Sequence, residues 1–235
     1  MNLKPIAIVE SCFKEKFGIP RQPGLAPSAC ANIRMLEPYN QPEAFWGLEQ
    51  SSHIWLQFIF HASLNQAWKP RVKMPRLGGN KTVGVFASRS PNRPNALGLS
   101  VVKLDAIDDS NGLVLKVSGI DLLDQTPVLD IKPYLPYADS VVDASNALAP
   151  KAPESVPVLF SDKAKLFLDE KVDPQRAQRL QCLLQEILAQ DPRPSYKSAN
   201  DNKVYGVSID KVNVNWRCIL RNRQLAIEVL DMVCL

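Results

Sequence analysis

The stretch that most restricts the fold is 53–60, HIWLQFIF, in which Ile54, Leu56, Phe58 and Phe60 fall on every second position. A period of two puts these four side chains on one face of a strand, toward a core. His53, Trp55 and Gln57, continued by His61, form a mixed second face. Further strands are expected at 5–11 (PIAIVES), 82–88 (TVGVFAS), 97–104 (LGLSVVKL), 113–120 (LVLKVSGI) and 127–131 (PVLDI), with a helical turn or two at 40–50. Strands this short, separated by Pro and Gly, favour a small barrel or sandwich over βαβ units.

The character changes after residue 145. Residues 143–157, DASNALAPKAPESVP, have the Ala/Pro/Ser composition of a linker. A short helix is expected at 161–171. Asp173-Pro174 then supplies a cap and a first helical position. Ala177, Leu180, Leu184, Ile187 and Leu188 follow at helical spacing as a core-facing stripe, up to Asp191-Pro192. Three strand-like pieces, KVYGVSI, KVNVNWRCI and QLAIEVL, close the chain. The expected organisation is a β-rich domain at 1–145, a linker at 146–158 and a smaller α+β domain at 159–235.

Several classes are disfavoured. No run reaches the roughly 18 apolar residues of a membrane-spanning helix, and the N-terminus has too short an apolar stretch for a signal peptide. Cysteines 12, 30, 182, 218 and 234 are odd in number and form no CxxC pair, which argues against a disulfide framework or a zinc site and for a reducing cytoplasm. With two histidines, no metal is expected. There is no GxGxxG after a strand, so a Rossmann site is not expected. LGGNKT (77–82) fails as a P-loop, because Pro75 and Asn80 stand where its two glycines belong.

The net charge is only +4, but from Gln50 to Leu104 there is no Asp or Glu. The same window carries Lys69, Arg71, Lys73, Arg76, Lys81, Arg89, Arg93 and Lys103. Such a field draws a polyanion, and nucleic acid or another phosphate-rich partner is expected. Three proline-stiffened polar loops accompany it: PRQPG (20–24), SRSPNRPN (88–95) and LLDQTPVLDIKPYLPY (122–137). Proline fixes φ and extends the residue before it, so these loops present their side chains on rigid backbone, where sites tend to be built.

The motifs PRQPGL, RSPNRPNALGLS and DQTPVLDIKPYLPYADS, in that order, resemble the YaeB/TrmO family, and LAQDPRPSY (188–196) extends the likeness into the second half. The chain departs from the family's usual pattern at Gln125, where Gly is usual, and at Ala96-Leu97, where Pro-Ile is usual. The resemblance implies a mainly β fold with a small, non-Rossmann β-barrel catalytic domain. It implies transfer of a methyl group from S-adenosylmethionine to N6 of N6-threonylcarbamoyladenosine in tRNA, by a homodimer with the site near its interface. The alternative is a non-catalytic RNA-binding β-barrel, which would explain the charge but not the acids in the stiff loops.

By the same resemblance, Arg21, Gln22 and Pro23, His61 with Ala62, Arg89 and Leu99 are cofactor-binding, as are Asp124, Gln125, Thr126 and Pro127. A guanidinium suits the cofactor's carboxylate, and backbone groups with an apolar wall suit adenine. Asp130 is the expected proton acceptor or orienting group, with Lys132 and Tyr134 polarising the substrate. Arg93, Lys69, Arg71, Lys73, Arg76 and Lys81 are expected on tRNA, and Arg193, Tyr196 and Lys197 of the second domain are candidates for added tRNA contacts. His53 is expected to cap or pack.

Overall fold

The computed structural model describes residues 2–73, 82–193, 201 and 203–235. Six antiparallel strands close a barrel in the order β1-β2-β7-β6-β3-β8. These are β1 (Ala7–Ser11), β2 (Cys30–Met35), β3 (His53–Ile59), β6 (Leu97–Asp108), β7 (Val114–Ser118) and β8 (Pro127–Pro133). A two-stranded ribbon, β4 (Arg71–Lys73) with β5 (Thr82–Gly84), stands apart from them. The alternation expected of 53–60 is present: Ile54, Leu56 and Phe58 are buried among Val9, Ile33, Leu115, Val117 and Val128. Phe60 lies past the end of β3 and packs edge-on against Phe58, ring centroids 5.0 Å apart.

Several elements differ from the sequence reading, among them two in the first half of the chain. The strand expected at 82–88 stops at Gly84, and Val85–Ala87 form a 3-10 turn. There the Val85 amide bonds the Pro70 carbonyl and Ser88 closes onto Val85, which turns the chain inward. The strand β2, with Ala31, Ile33 and Met35 buried, has no counterpart among the expected strands. Its sequence, CANIRM, offers only one β-branched residue, so the barrel context decides its conformation.

The C-terminal half forms a sheet in the order β10-β11-β12-β9, comprising β9 (Val158–Phe160), β10 (Val204–Ile209), β11 (Val212–Arg221) and β12 (Gln224–Cys234). A single turn, α1 (Pro136–Asp139), follows the barrel, and α2 (Asp162–Lys171) and α3 (Pro174–Leu188) accompany the sheet. Ser161 and Asp173 cap α2 and α3 by accepting bonds from the amides of Ala164 and Arg176. Pro174 occupies the first turn of α3, where its missing N–H costs nothing. The stripe Leu180, Leu184, Ile187 and Leu188 is buried as expected.

The two halves share one continuous core. Phe13 bridges to Ile209, the Asp210 amide bonds the Cys12 carbonyl at 2.8 Å, and Glu15 accepts the Ser208 amide at 2.7 Å. On the other side, Glu186 of α3 accepts both the amide and the hydroxyl of Ser28, at 2.8 and 2.9 Å. Gln190 reaches the Leu25 carbonyl at 3.2 Å. The loop 12–28 is therefore clasped between β10 and α3.

Candidate active site

The loop after β1, the end of β3, the start of β6 and the β7–β8 loop come together at one end of the barrel. A cavity of about 700 Å³ opens there, a volume suited to a small organic ligand. Its apolar wall includes Phe58, Phe60, Leu97, Leu99 and Leu122. Gly98 is opposite Phe58 in the β3–β6 ladder. The Phe58 ring fills the space a Cβ at Gly98 would take.

Charged groups face the same space. Lys16, Arg21, Arg89 and Arg93 line it together with Asp121. Arg21 Nη2 donates to the carbonyls of Asp191 and Arg193 at 3.5 and 3.4 Å, so the second half of the chain aims this guanidinium. The nearly buried Arg193 is itself gripped by Asp191, Nε and Nη2 donating at 2.8 Å each. Arg89 donates to the Gln22 side chain, which joins two of the proline-stiffened loops. Arg93 turns toward its own loop, donating to the carbonyls of Ser88 at 2.8 Å and Val85 at 3.2 Å, and covers the Phe86 ring.

His61 and Ala62 follow β3 directly at the cavity edge. Lys16 Nζ donates to the Ala62 carbonyl at 2.8 Å. Burial, then the Lys16 charge, holds the His61 imidazole below its ordinary pKa. Asp121 accepts a 2.7 Å bond from Ser100 Oγ. Burial pushes its carboxyl up to about 6, against that bond and the nearby Arg89.

Of the expected cofactor residues, the structure brings Arg21, Gln22, Pro23, His61, Ala62, Arg89 and Thr126 to the cavity, with Leu99 on its wall. Asp124, Gln125 and Pro127 are not in the lining. Asp124 accepts the Ser11 amide at 2.9 Å and pairs with Lys14 at 2.8 Å. Gln125 sits in the left-handed region at φ 63°, the conformation that favours the glycine usual at this position. Pro127 begins β8 opposite Ile8. Thr126 Oγ1 donates to the Leu123 carbonyl at 2.6 Å.

Asp130 and Lys132 pair with each other at 2.7 Å and lie outside the cavity lining. A register shift in β8 places Val128 opposite Phe58 and Ile131 opposite Leu56, both core positions. Asp130 and Lys132 fall opposite Gln57 and Trp55, which line the cavity from the mixed face of β3. Tyr134 packs against Trp55 and His53, and with Arg89, Leu99 and Val101 it borders a second hollow of about 440 Å³. His53 also contacts Ser52 Oγ at 2.9 Å. Lys69, Arg71 and Lys73 are exposed, with Arg71 donating to Thr82 Oγ1 at 2.8 Å. Arg76, Lys81, Tyr196 and Lys197 lie outside the described residues.

Sequence reasoning missed Asp121, Ser100 and Lys16. Asp121 is adjacent to the polar loop 122–137, but strand-like neighbours hide it. Among the described residues no helix is long and apolar enough to span a membrane.

A closed six-stranded barrel with a ligand-sized, cation-rimmed cavity at one end, joined to an α+β unit through a shared core, defines a two-part β-barrel ligand-binding protein. Residues 8–140 match the family model for the tRNA-methyltransferase O N-terminal domain, and 153–232 match that for the TrmO C-terminal domain. The chain belongs to the TrmO family. It is 45% identical over 221 residues to the tRNA (adenine(37)-N6)-methyltransferase of Escherichia coli, covering 92% of each. It is 47% identical over 215 residues to a Pseudomonas aeruginosa protein provisionally named an S-adenosylmethionine-dependent methyltransferase, covering 92% of this chain and 91% of that one. The crystal structure of TrmO from Pseudomonas aeruginosa superposes with a TM-score of 0.81 at 42% identity, over 99% of this chain and 98% of that one.

Proposed function

We propose that this chain methylates N6 of adenosine 37 in tRNA using S-adenosylmethionine, and that the base it accepts already carries a threonylcarbamoyl group on N6. The observation that carries this reading is the barrel-end cavity, with guanidinium groups beside an apolar wall, in a chain 45% identical to a named tRNA (adenine(37)-N6)-methyltransferase. The residues fit the methyl donor: Arg21 and Arg89 suit its carboxylate, and Leu99, Leu122 and Phe60 offer a wall for adenine. Bound there, S-adenosylmethionine supplies a methyl group activated by a positive sulfur.

The chain's own residues then position the base and manage its proton. An N6 nitrogen bearing a carbamoyl group is a weak nucleophile, because its lone pair is delocalised into the carbonyl. Asp130 accepts the N6 proton or orients the base, while Lys132 and Tyr134 polarise the carbonyl. Gln57 links this group to the cavity, since it lines the cavity and pairs with Asp130. Arg93, Lys69, Arg71 and Lys73 face the RNA, Arg93 through the donors its loop leaves free. The acid-free window supports an RNA partner. Residues 1–145 form the catalytic unit, 146–158 the linker and 159–235 the accessory unit.

The protein acts as a homodimer in the cytoplasm. Exposed Leu97, Leu99 and Phe86 beside the cavity support an interface there. Mass spectrometry of tRNA nucleosides after incubation with protein and S-adenosylmethionine tests the reaction. The expected product is one added methyl on the threonylcarbamoyl base. A methyl gained equally by tRNA lacking that group overturns the finer substrate assignment, and no methyl on any tRNA overturns the activity. An Asp130→Ala protein that methylates at full rate ends the role given to Asp130.

A further inference from the structure

Asp121 is the single carboxylate among the described residues lining the barrel-end cavity, against the cationic side chains of Lys16, Arg21, Arg89 and Arg93. A partly buried carboxylate ordinarily offsets its lost hydration with an ion pair or several donors. Asp121 has the Ser100 hydroxyl at 2.7 Å and its own backbone N–H. Arg89 attracts it electrostatically but gives its hydrogen bond to Gln22. Burial accordingly raises the carboxyl to about 6. The barrel keeps an under-compensated anion facing open space, and such costs are retained where a ligand needs them.

Resting on the function proposed above, we propose that Asp121 is the counter-anion for the α-ammonium group of the cofactor's methionyl end, with Arg89 taking the adjacent α-carboxylate. An α-amino acid carries both charges on one carbon, so an anion and a guanidinium on neighbouring walls recognise it together. Ser100 Oγ occupies Oδ1 and fixes the carboxylate's orientation. The remaining lone pairs are sites for the three N–H donors of an ammonium. The sulfonium of the same molecule donates no hydrogen bond and makes a poorer match.

The test is calorimetry on wild type and Asp121→Asn with three ligands: S-adenosylmethionine, S-adenosylhomocysteine and 5′-methylthioadenosine. The second lacks the sulfonium charge, and the third lacks the amino-acid end. Asp121→Asn should weaken the first two by a similar factor, about 10- to 100-fold, and leave the third unchanged. Equal affinity for all three in wild type and variant overturns the inference alone. Loss confined to S-adenosylmethionine reassigns Asp121 to the sulfonium, and loss for all three makes its role one of shape; both overturn the ammonium assignment. A wild type that binds none of them overturns the functional reading and the inference with it.

A second measurement needs no variant to fold. Between pH 7 and pH 5 protonation of Asp121 should weaken wild-type binding of S-adenosylmethionine about 10-fold, while 5′-methylthioadenosine binding is unaffected by that group. The other charged or titratable groups facing the cavity are Lys16, Arg21, Arg89, Arg93 and His61. Burial and the Lys16 charge hold the His61 imidazole below its ordinary pKa, and the parallel measurement with 5′-methylthioadenosine controls for it. A pH dependence shared equally by the two ligands overturns the proposal.

Discussion

Replacing Gly98 by alanine puts a methyl group where the Phe58 ring already lies. A Cβ built on Gly98 would stand 2.2 Å from Cε2 and Cζ of Phe58 and 2.9 Å from Cδ2. Ordinary carbon contacts are about 3.5–4.0 Å, so the overlap exceeds 1 Å over the ring's far edge. Phe58 is 3% exposed and its ring is paired edge-on with Phe60, so it can yield only toward the cavity it lines, at the cost of that pairing. Overpacking a core costs about 1–3 kcal/mol, and disturbing an aromatic pair about 0.5–1.5 kcal/mol. A total of about 2–4 kcal/mol corresponds to a Tm lowered by roughly 5–15 °C in a chain of this size. Thermal and denaturant unfolding, with m unchanged, measure this. Adding Phe58→Leu should recover part of the loss through a favourable coupling energy. A Tm within 2 °C of wild type, or no rescue in the double variant, refutes the argument that Gly98 exists to admit this ring. Because both residues line the cavity, cofactor affinity should fall in Gly98→Ala as well.

Gln125→Gly should raise Tm by about 1–4 °C, since a side chain in the left-handed region costs about 1–2 kcal/mol and glycine's entropy returns part of it; a lower Tm refutes the strain. Glu186→Ala removes both bonds to Ser28 and should cost about 1–3 kcal/mol by denaturant titration. Cofactor affinity should fall with it, because the clasped loop carries Arg21 and Gln22; unchanged affinity would limit the clasp to stability. For Asp121 the folded state holds its proton up to about 6 and the unfolded chain only to about 4. Stability from this group is therefore lost as pH rises through that window, on the order of 2 kcal/mol. Asp121→Asn should thus unfold later than wild type at pH 7.5 and lose that advantage by pH 4; equal stability at both pH values refutes the burial argument.

Local pattern was enough for much of the architecture. The alternation at 53–60 depends only on the strand's two-residue period, and the cap at Asp173 depends on a side chain three residues from the amide it binds. The proline-stiffened loops were legible because proline acts on its own φ and on its neighbour. Their motifs, read together, also pointed to the family to which the chain belongs.

What the sequence left open turns on pairings between distant residues. Reading 127–131 as a plain alternation puts Asp130 on the same face as buried Val128. The register shift against β3 instead places Asp130 and Lys132 with Gln57 and Trp55 on the outer face. Arg93 looked like a presented charge, yet carbonyls of its own loop and the Phe86 ring take up part of it. Arg21 is aimed by carbonyls about 170 positions away, and Ser28 is held by Glu186. Asp121 joins the cavity only because β6 brings Ser100 beside it and the barrel closes around both. Periodicity and propensity act over a few residues, whereas the burial and field that tune a carboxylate come from strands far apart in sequence, so only the closed barrel decided them.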